Sequence, residues 1–202
     1  NQANTFVSCL TTAELKKVWD VGSTVKRWNQ VRPEFPADPI RLYGPGTDSG
    51  TFDYFTEVIN GKAKQSRADF TASEDDNVLV QGVAGDKNSL GYFGFAYYEE
   101  NKDKLKLVAV DGGGGCLLPS EQTINDGTYK PLSRPLFIYV KKRSLERPEV
   151  KAFVTFYLEN AAALSREVGY ISLPSSMYQD GLAKIRQAPA ATTAPTPAVK
   201  LK

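Results

Sequence analysis

Apolar positions recur along this chain with two different periods, and the alternation sets the first expectation about its fold. In TTAELKKVW, residues 11–19, Leu15, Val18 and Trp19 fall on one face of a helix that Thr11 or Thr12 is placed to cap. The three prolines of NQVRPEFPADP then break regular structure. Ile40 to Tyr43 reads as a short strand and Gly44 to Ser49 as a loop. From Gly50 the positions Phe52, Phe55, Val58 and Ile59 recur at helical spacing up to the C-capping pair Asn60-Gly61. Ser73 and Asp76 resemble the two ends of a capping box, and Val78, Leu79, Val80 and Val83 continue that helix to Gly85.

Farther along, LGYFGFAYY and LKLVAV read as strands, with GGGG at 112–115 as a turn. PLFIYV, residues 135–140, is a continuous apolar run of the kind expected in a strand covered on both faces. Pro148 opens a long helix with Val150, Phe153, Val154, Tyr157, Ala161 and Leu164 in one stripe, ending at Gly169, and a last helix follows Pro174. Strands alternating with helices predict an α/β architecture. APAATTAPTPAVKLK, residues 188–202, is too poor in large apolar side chains to form a core and reads as a flexible tail or linker.

At 202 residues and 41% hydrophobic, the chain is long enough to bury a substantial core in one or two domains. Its 25 Lys and Arg against 23 Asp and Glu leave a net charge of +2, which offers no broad attraction to nucleic acid or an anionic membrane. Any anion must therefore be captured locally. The compact basic run Lys141, Lys142, Arg143 reads as a solvated turn. No stretch approaches the roughly 18 apolar residues of a membrane span. With neither an initiator Met nor a signal peptide at Asn1, the chain is expected to begin within a longer protein or after processing.

Cys9 and Cys116 are too far apart in sequence for a CxxC motif, and a disulfide and two free buried thiols are both open on residue evidence. The chain has no histidine, which removes Ser-His-Asp and Cys-His nucleophilic catalysis and histidine-based zinc sites together.

The candidate chemistry lies in RLYGPGTDSGTFDYF, residues 41–55. A loop leading from a strand into a helix N-terminus presents unpaired N–H groups and the positive end of the helix dipole to one point, which suits an anion. Ser49 is placed as the N-cap, Gly50 allows close backbone approach, and Thr51 adds a hydroxyl. A Walker A loop is excluded because no lysine lies between Arg41 and Lys62, and a nucleophile elbow because G-x-S-x-G is missing. Asp48-Ser49-Gly50-Thr51 matches the aspartic-protease signature, but the motif occurs once where that chemistry needs two carboxylates, and the polar Thr47 precedes it. A plain serine-capped turn without a ligand also fits the loop.

Three longer segments change that balance. LYGPGTDSGTFDYFTE, SRADFTASEDDNVLVQGVAGDKNSLGYFGFAYYEENKDKL and PLSRPLFIYVKK together resemble the phosphate-binding proteins of high-affinity phosphate ABC transporters, the PstS-like family, and GYISLPSSMY resembles that family's last helix. The resemblance implies a type II periplasmic-binding-protein fold, α/β with mixed sheets flanked by helices, in two lobes that close on the ligand. Members of the family carry roughly ninety further residues before the equivalent of Asn1, so the first lobe is expected to be incomplete. Residues 1–134 correspond to most of the second lobe, 135–187 to the return into the first, and 188–202 to the tail, with Pro131 to Pro135 near a hinge crossing.

Carried onto this chain, the family's Ser-Gly-Thr phosphate loop falls on Ser49, Gly50 and Thr51. Many members place an arginine four residues before that serine or just after the threonine, where this sequence has Pro45 and Phe52. An uncompensated phosphate in a closed cleft is costly, so another cation is required. Arg67 is the first candidate and Arg41 the second. Asp48 is read as holding a guanidinium or accepting a phosphate proton, which would favour phosphate over sulfate. Asp75, Asp76 and Asn77 are further candidates that helix capping also explains, and the aromatic residues of FDYF and YFGFAYY read as core.

The resemblance further implies a periplasmic or extracellular location, with an anchor in a segment outside this sequence as one arrangement, and a disulfide between Cys9 and Cys116. Inorganic phosphate and an ABC permease are the implied partners, with no cofactor, no metal, no catalytic residues and no nucleic acid, and a monomer is expected. The leading expectation is a binding module rather than an enzyme. The alternative is a phosphatase using the same anion loop, which without histidine would need a carboxylate metal cluster such as Asp75 and Asp76. An adhesin or sensor on the same scaffold is a third reading.

Overall fold

Strand β1 (Cys9–Thr11) passes directly into helix α1 (Thr12–Trp19) because Thr11 caps it reciprocally. The Thr11 hydroxyl accepts the N–H of Glu14 at 3.1 Å, and the Glu14 carboxylate accepts the N–H of Thr11 at 2.8 Å. The molecule is described by a computed structural model over residues 1–187, and the stretch read as a flexible tail, 188–202, lies outside the described residues. Two compact units divide it. One comprises Asn1–Arg134 with Gly169–Ile171, the other Pro135–Val168 with the chain from Ser172 onward.

The first unit is organised by the apolar face of α1. Leu15, Val18 and Trp19 are buried, and Trp19 meets Phe55, Phe70 and Tyr92 edge-on at centroid distances of 5.8, 5.6 and 4.9 Å. Such edge-to-face contacts exploit the ring quadrupole and fix ring orientations as well as burying area. A second indole, Trp28, is wholly buried against Phe6 and Phe35, with its N–H donating to the carbonyl of Asn88 at 3.1 Å.

Two three-stranded sheets flank this core. In one, β2 (Arg41–Pro45) lies between β3 (Thr71–Ser73) and β4 (Ser89–Gly91), all parallel, with Tyr43 opposite Thr71 and Leu42 opposite Leu90. Parallel neighbours require crossover connections. These contain α2 (Gly50–Phe55) and α3 (Asp76–Gly85). In the other sheet β1 pairs in parallel with β5 (Ala109–Asp111), which turns through the glycine run into the antiparallel β6 (Cys116–Leu117). A disulfide joins Cys9 to Cys116, linking β1 and β6 across 107 residues of chain. The architecture is thus α/β with mixed sheets and flanking helices.

Three expectations shift. The cap of α3 is Asp75, whose carboxylate accepts the N–H of Asn77 at 2.9 Å, while Ser73 accepts the N–H of Asp75, so no Ser73–Asp76 box forms. LGYFGFAYY is not one strand: β4 stops at Gly91 and Phe95–Glu99 forms helix α4, packing Tyr97 and Tyr98 beside Val80, Val83 and Leu105. PLFIYV forms no strand among the described residues, with Phe137 66% and Tyr139 93% exposed. An apolar run becomes a buried strand only when neighbours supply its hydrogen bonds and cover its faces.

The second unit holds the long helix α6 (Pro148–Glu167), with Pro at its start as expected, and α7 (Ser175–Arg186); α5 is the short Ser120-capped helix Glu121–Asn125 of the first unit. Of the expected apolar stripe on α6, Val154 and Ala161 are buried, whereas Phe153, Tyr157 and Leu164 are exposed. Among the described residues no helix is long and apolar enough to cross a membrane.

Candidate functional site

The order β3-β2-β4 puts the loop after β2 at the carboxyl end of a central strand, the edge at which open α/β sheets hold ligands. The loop is braced before it reaches α2. Gly46 N–H donates to Ser73 O at 3.2 Å and Ser49 N–H to Gly46 O at 3.2 Å. Asp48 N–H donates to the Glu74 carboxylate at 3.3 Å, which lies so close to Gly46 that a β-carbon there would sit 1.9 Å from the Glu74 oxygen. Glycine at 46 is what lets Glu74 brace the turn.

Ser49 is the N-cap that its position in the sequence predicts. Its Oγ accepts from Thr51 N–H at 3.1 Å and Phe52 N–H at 3.4 Å, and its own proton has no acceptor among the described residues. The Thr51 hydroxyl likewise has no partner among them. Helix α2 buries Phe52 and Phe55 and widens after Phe55 into a π-helical turn, Thr56–Asn60, where the Thr56 hydroxyl donates to the carbonyls of Phe52 and Asp53. Gly61 closes the helix in the left-handed region at φ 90°. Ser49, Gly50 and Thr51 therefore gather two hydroxyls with free protons and a helix start at one place, and Asp48 is exposed in the same turn.

The cation candidates separate sharply. Arg67 does not join the loop. Its side chain is 4% exposed, its Nη1 donates to Val18 O and Val25 O, each at 2.9 Å, and its Nε and Nη2 clasp Asp69 at 2.6 and 2.9 Å. Its backbone N–H donates to Trp19 O at 3.1 Å, so Arg67 caps the carboxyl end of α1. Burial lowers the pKa of this guanidinium, which nonetheless stays charged because the group starts so high. Arg41 begins β2, at the opposite end of the strand from the loop, and faces Asp86 at 3.9 Å.

Asp75 and Asn77 are engaged in starting α3, and burial raises the pKa of Asp76, with Asp75 adding to the effect and the Gly94 N–H opposing it. Among the described residues no group of three or more His, Cys, Asp or Glu is placed to hold a metal ion.

Residues that the sequence did not single out complete the surroundings. Tyr54, read as core, donates its hydroxyl to Pro131 O at 2.6 Å and Ser133 O at 3.2 Å. Arg134 lies with its guanidinium over the Tyr54 ring, 4.4 Å from the centroid, and donates to Gly50 O at 3.0 Å. Nothing local in PLSRPLF announces that contact, since 84 residues separate its ends.

Residues 1–161 match the PBP superfamily domain. The chain is 54% identical over 184 residues to protein SphX of Synechocystis sp., an alignment covering 90% of this chain and 55% of that protein. It is 38% identical over 191 residues to the phosphate-binding protein PstS of Staphylococcus haemolyticus, covering 93% and 58% respectively. The crystal structure of a possible phosphate binding protein from Planctomyces limnophilus superposes with a TM-score of 0.85 at 52% identity, covering 93% of this chain and 67% of the other. The chain spans little more than half the length of the curated relatives it matches.

Proposed function

Because this chain belongs to the PBP superfamily, we propose that it binds inorganic phosphate at Ser49, Gly50 and Thr51 and, within the complete protein, delivers it from outside the cytoplasmic membrane to an ABC permease. The observation that carries the reading is the pair of hydroxyls with free protons at the start of α2, beside the Gly50 N–H, which has no partner among the described residues. Each phosphate oxygen is an acceptor, and this cluster is built of donors.

Asp48, exposed in the same turn, carries a carboxylate that accepts a proton rather than donating one. We assign it the discrimination of phosphate from sulfate, because only phosphate carries a proton near neutral pH. The Cys9–Cys116 disulfide fits an oxidising compartment and hence a site of action outside the cytoplasm. Residues 1–134 are proposed as most of the second lobe and 135–187 as the return into the first, with the complete protein acting as a monomer. Phosphate hydrolysis gains no support: the capping duties of Asp75 account for one half of the expected carboxylate pair, and the relative PstS is named for binding.

Isothermal titration of the complete protein, freed of bound phosphate, tests the proposal. Phosphate is expected to release heat that sulfate does not, and Ser49→Ala with Thr51→Val should abolish it. Phosphate binding of unchanged affinity in the double variant would overturn the assignment of the loop.

A further inference from the structure

We propose that Arg134 supplies the positive charge for the anion held at the loop, a role that rests on the phosphate reading above. The twelve residues from Gly44 to Phe55 contain no lysine or arginine, but they do contain Asp48 and Asp53, and Glu74 braces the turn from outside. An anion placed there meets a negative surround unless a cation comes from elsewhere in the chain. The nearby Lys64 faces Asp53 at 3.8 Å, Arg41 faces Asp86, and Arg67 is held by Asp69 within the capping of α1.

Arg134 differs from these in both position and pairing. It reaches the first residue of α2, donating to Gly50 O at 3.0 Å, and the same Nη2 would lie 3.7 Å from a β-carbon built on Gly50. It has no carboxylate partner among the described residues. Its one hydrogen bond there is to a neutral carbonyl, so four of its five N–H donors are left for an incoming group.

The mounting is rigid where it needs to be. Tyr54, on the second turn of α2, presents its ring to the guanidinium and ties its hydroxyl to the carbonyls of Pro131 and Ser133. Ser133 is in turn fixed to Tyr129 O through its N–H at 3.1 Å and its hydroxyl at 2.6 Å, and Tyr129 is buried. The helix that carries the anion loop therefore also positions the arginine that neutralises the anion. A planar guanidinium held on a ring face and lacking a carboxylate is suited to a bidentate approach by two phosphate oxygens, which a lysine point charge would not reproduce.

Phosphate titrations of the complete protein and of its Arg134→Gln, Arg134→Lys and Ser49→Ala/Thr51→Val forms decide the matter, with thermal melts of each. Arg134→Gln should weaken phosphate about 10- to 100-fold, the effect of losing a charge-assisted bidentate contact, while the melting temperature of this exposed residue's variant stays that of the parent. Arg134→Lys should fall between the two. If glutamine lowers the melting temperature as well, the lysine form decides: restored folding with affinity still reduced supports the bidentate role, and restored folding with parental affinity overturns it. Parental affinity in Arg134→Gln, with binding lost in the loop double variant, would overturn the role of Arg134 and leave the loop standing. Absence of phosphate binding by the parent would overturn both.

Discussion

Arg67→Ala separates a structural arginine from a ligand-binding one. Helix α1 ends at Trp19, and its last carbonyls must find donors outside the helix. Ser23 Oγ takes Lys17 O at 2.7 Å, Arg67 Nη1 takes Val18 O, and the Trp19 carbonyl accepts from Asn60, Ser66 and the Arg67 backbone. Alanine keeps the backbone bond but strips Val18 O and Val25 O, both on buried residues, of their side-chain donor. A buried group left without a partner costs about 1–3 kcal/mol, so the pair amounts to roughly 2–6 kcal/mol. Asp69, about half exposed, keeps Lys26 and adds little.

With 1 kcal/mol worth a few degrees in a domain of this size, the melting temperature should drop by roughly 5–25 °C. Arg67→Met, which retains an apolar stem, should lose nearly as much, because the hydrogen bonds and not the packing carry the effect. Melting followed by circular dichroism gives the stability, and a phosphate titration at low temperature, where the variants are folded, gives the affinity. The affinity should match the parent's within about twofold, a change of under half a kcal/mol. An unchanged melting temperature with lost phosphate binding would refute this and make Arg67 the ligand's cation.

Glu14 accepts from Arg32, chiefly, and from Thr11, which holds its carboxyl down to about 2 against an ordinary 4.5. A lowered carboxyl pKa gives stability that is present above the unfolded value and lost as pH falls through the folded one, so between pH 4.5 and 2 the protein should lose about 1–3 kcal/mol that a Glu14→Gln variant does not, as measured by urea unfolding across pH. Gly82 lies within α3 with the Tyr43 ring against it, so that a β-carbon would sit 2.2 Å from a ring carbon. Gly82→Ala, which in an open helix stabilises by about 1 kcal/mol, should here destabilise by about 1–3 kcal/mol in urea. Reducing the disulfide frees a 107-residue loop and should lower stability by about 3–5 kcal/mol, and an unaltered melting temperature in reductant would contradict that.

What could be read from the sequence was what neighbouring residues decide among themselves. A threonine cap at 11 or 12, Ser49 ahead of Gly50, and Gly61 after the helix are signals contained within one turn, and the structure places the caps at Thr11, Ser49 and Gly61. The cap of α3 was misplaced because Ser73 and Asp75 are both good caps two residues apart, and only the register of β3 against β2 selects Asp75. PLFIYV has the pattern of a buried strand, but a strand also needs partners, which among the described residues it lacks. Arg67 is a cation candidate on sequence because arginines are usually accessible, and its burial comes from the convergence of α1 with a loop some fifty residues later. Arg134 was invisible for the same reason: it approaches Gly50 from 84 residues away.

Phosphate recognition by the start of α2 is tested most directly by following backbone amides in nitrogen-15 NMR spectra of the complete protein as phosphate is added. The account predicts that Gly50 and Thr51 shift most, with Ser49 beside them, and that sulfate leaves them in place. Saturable phosphate binding that leaves these three amides unmoved while others shift would contradict it.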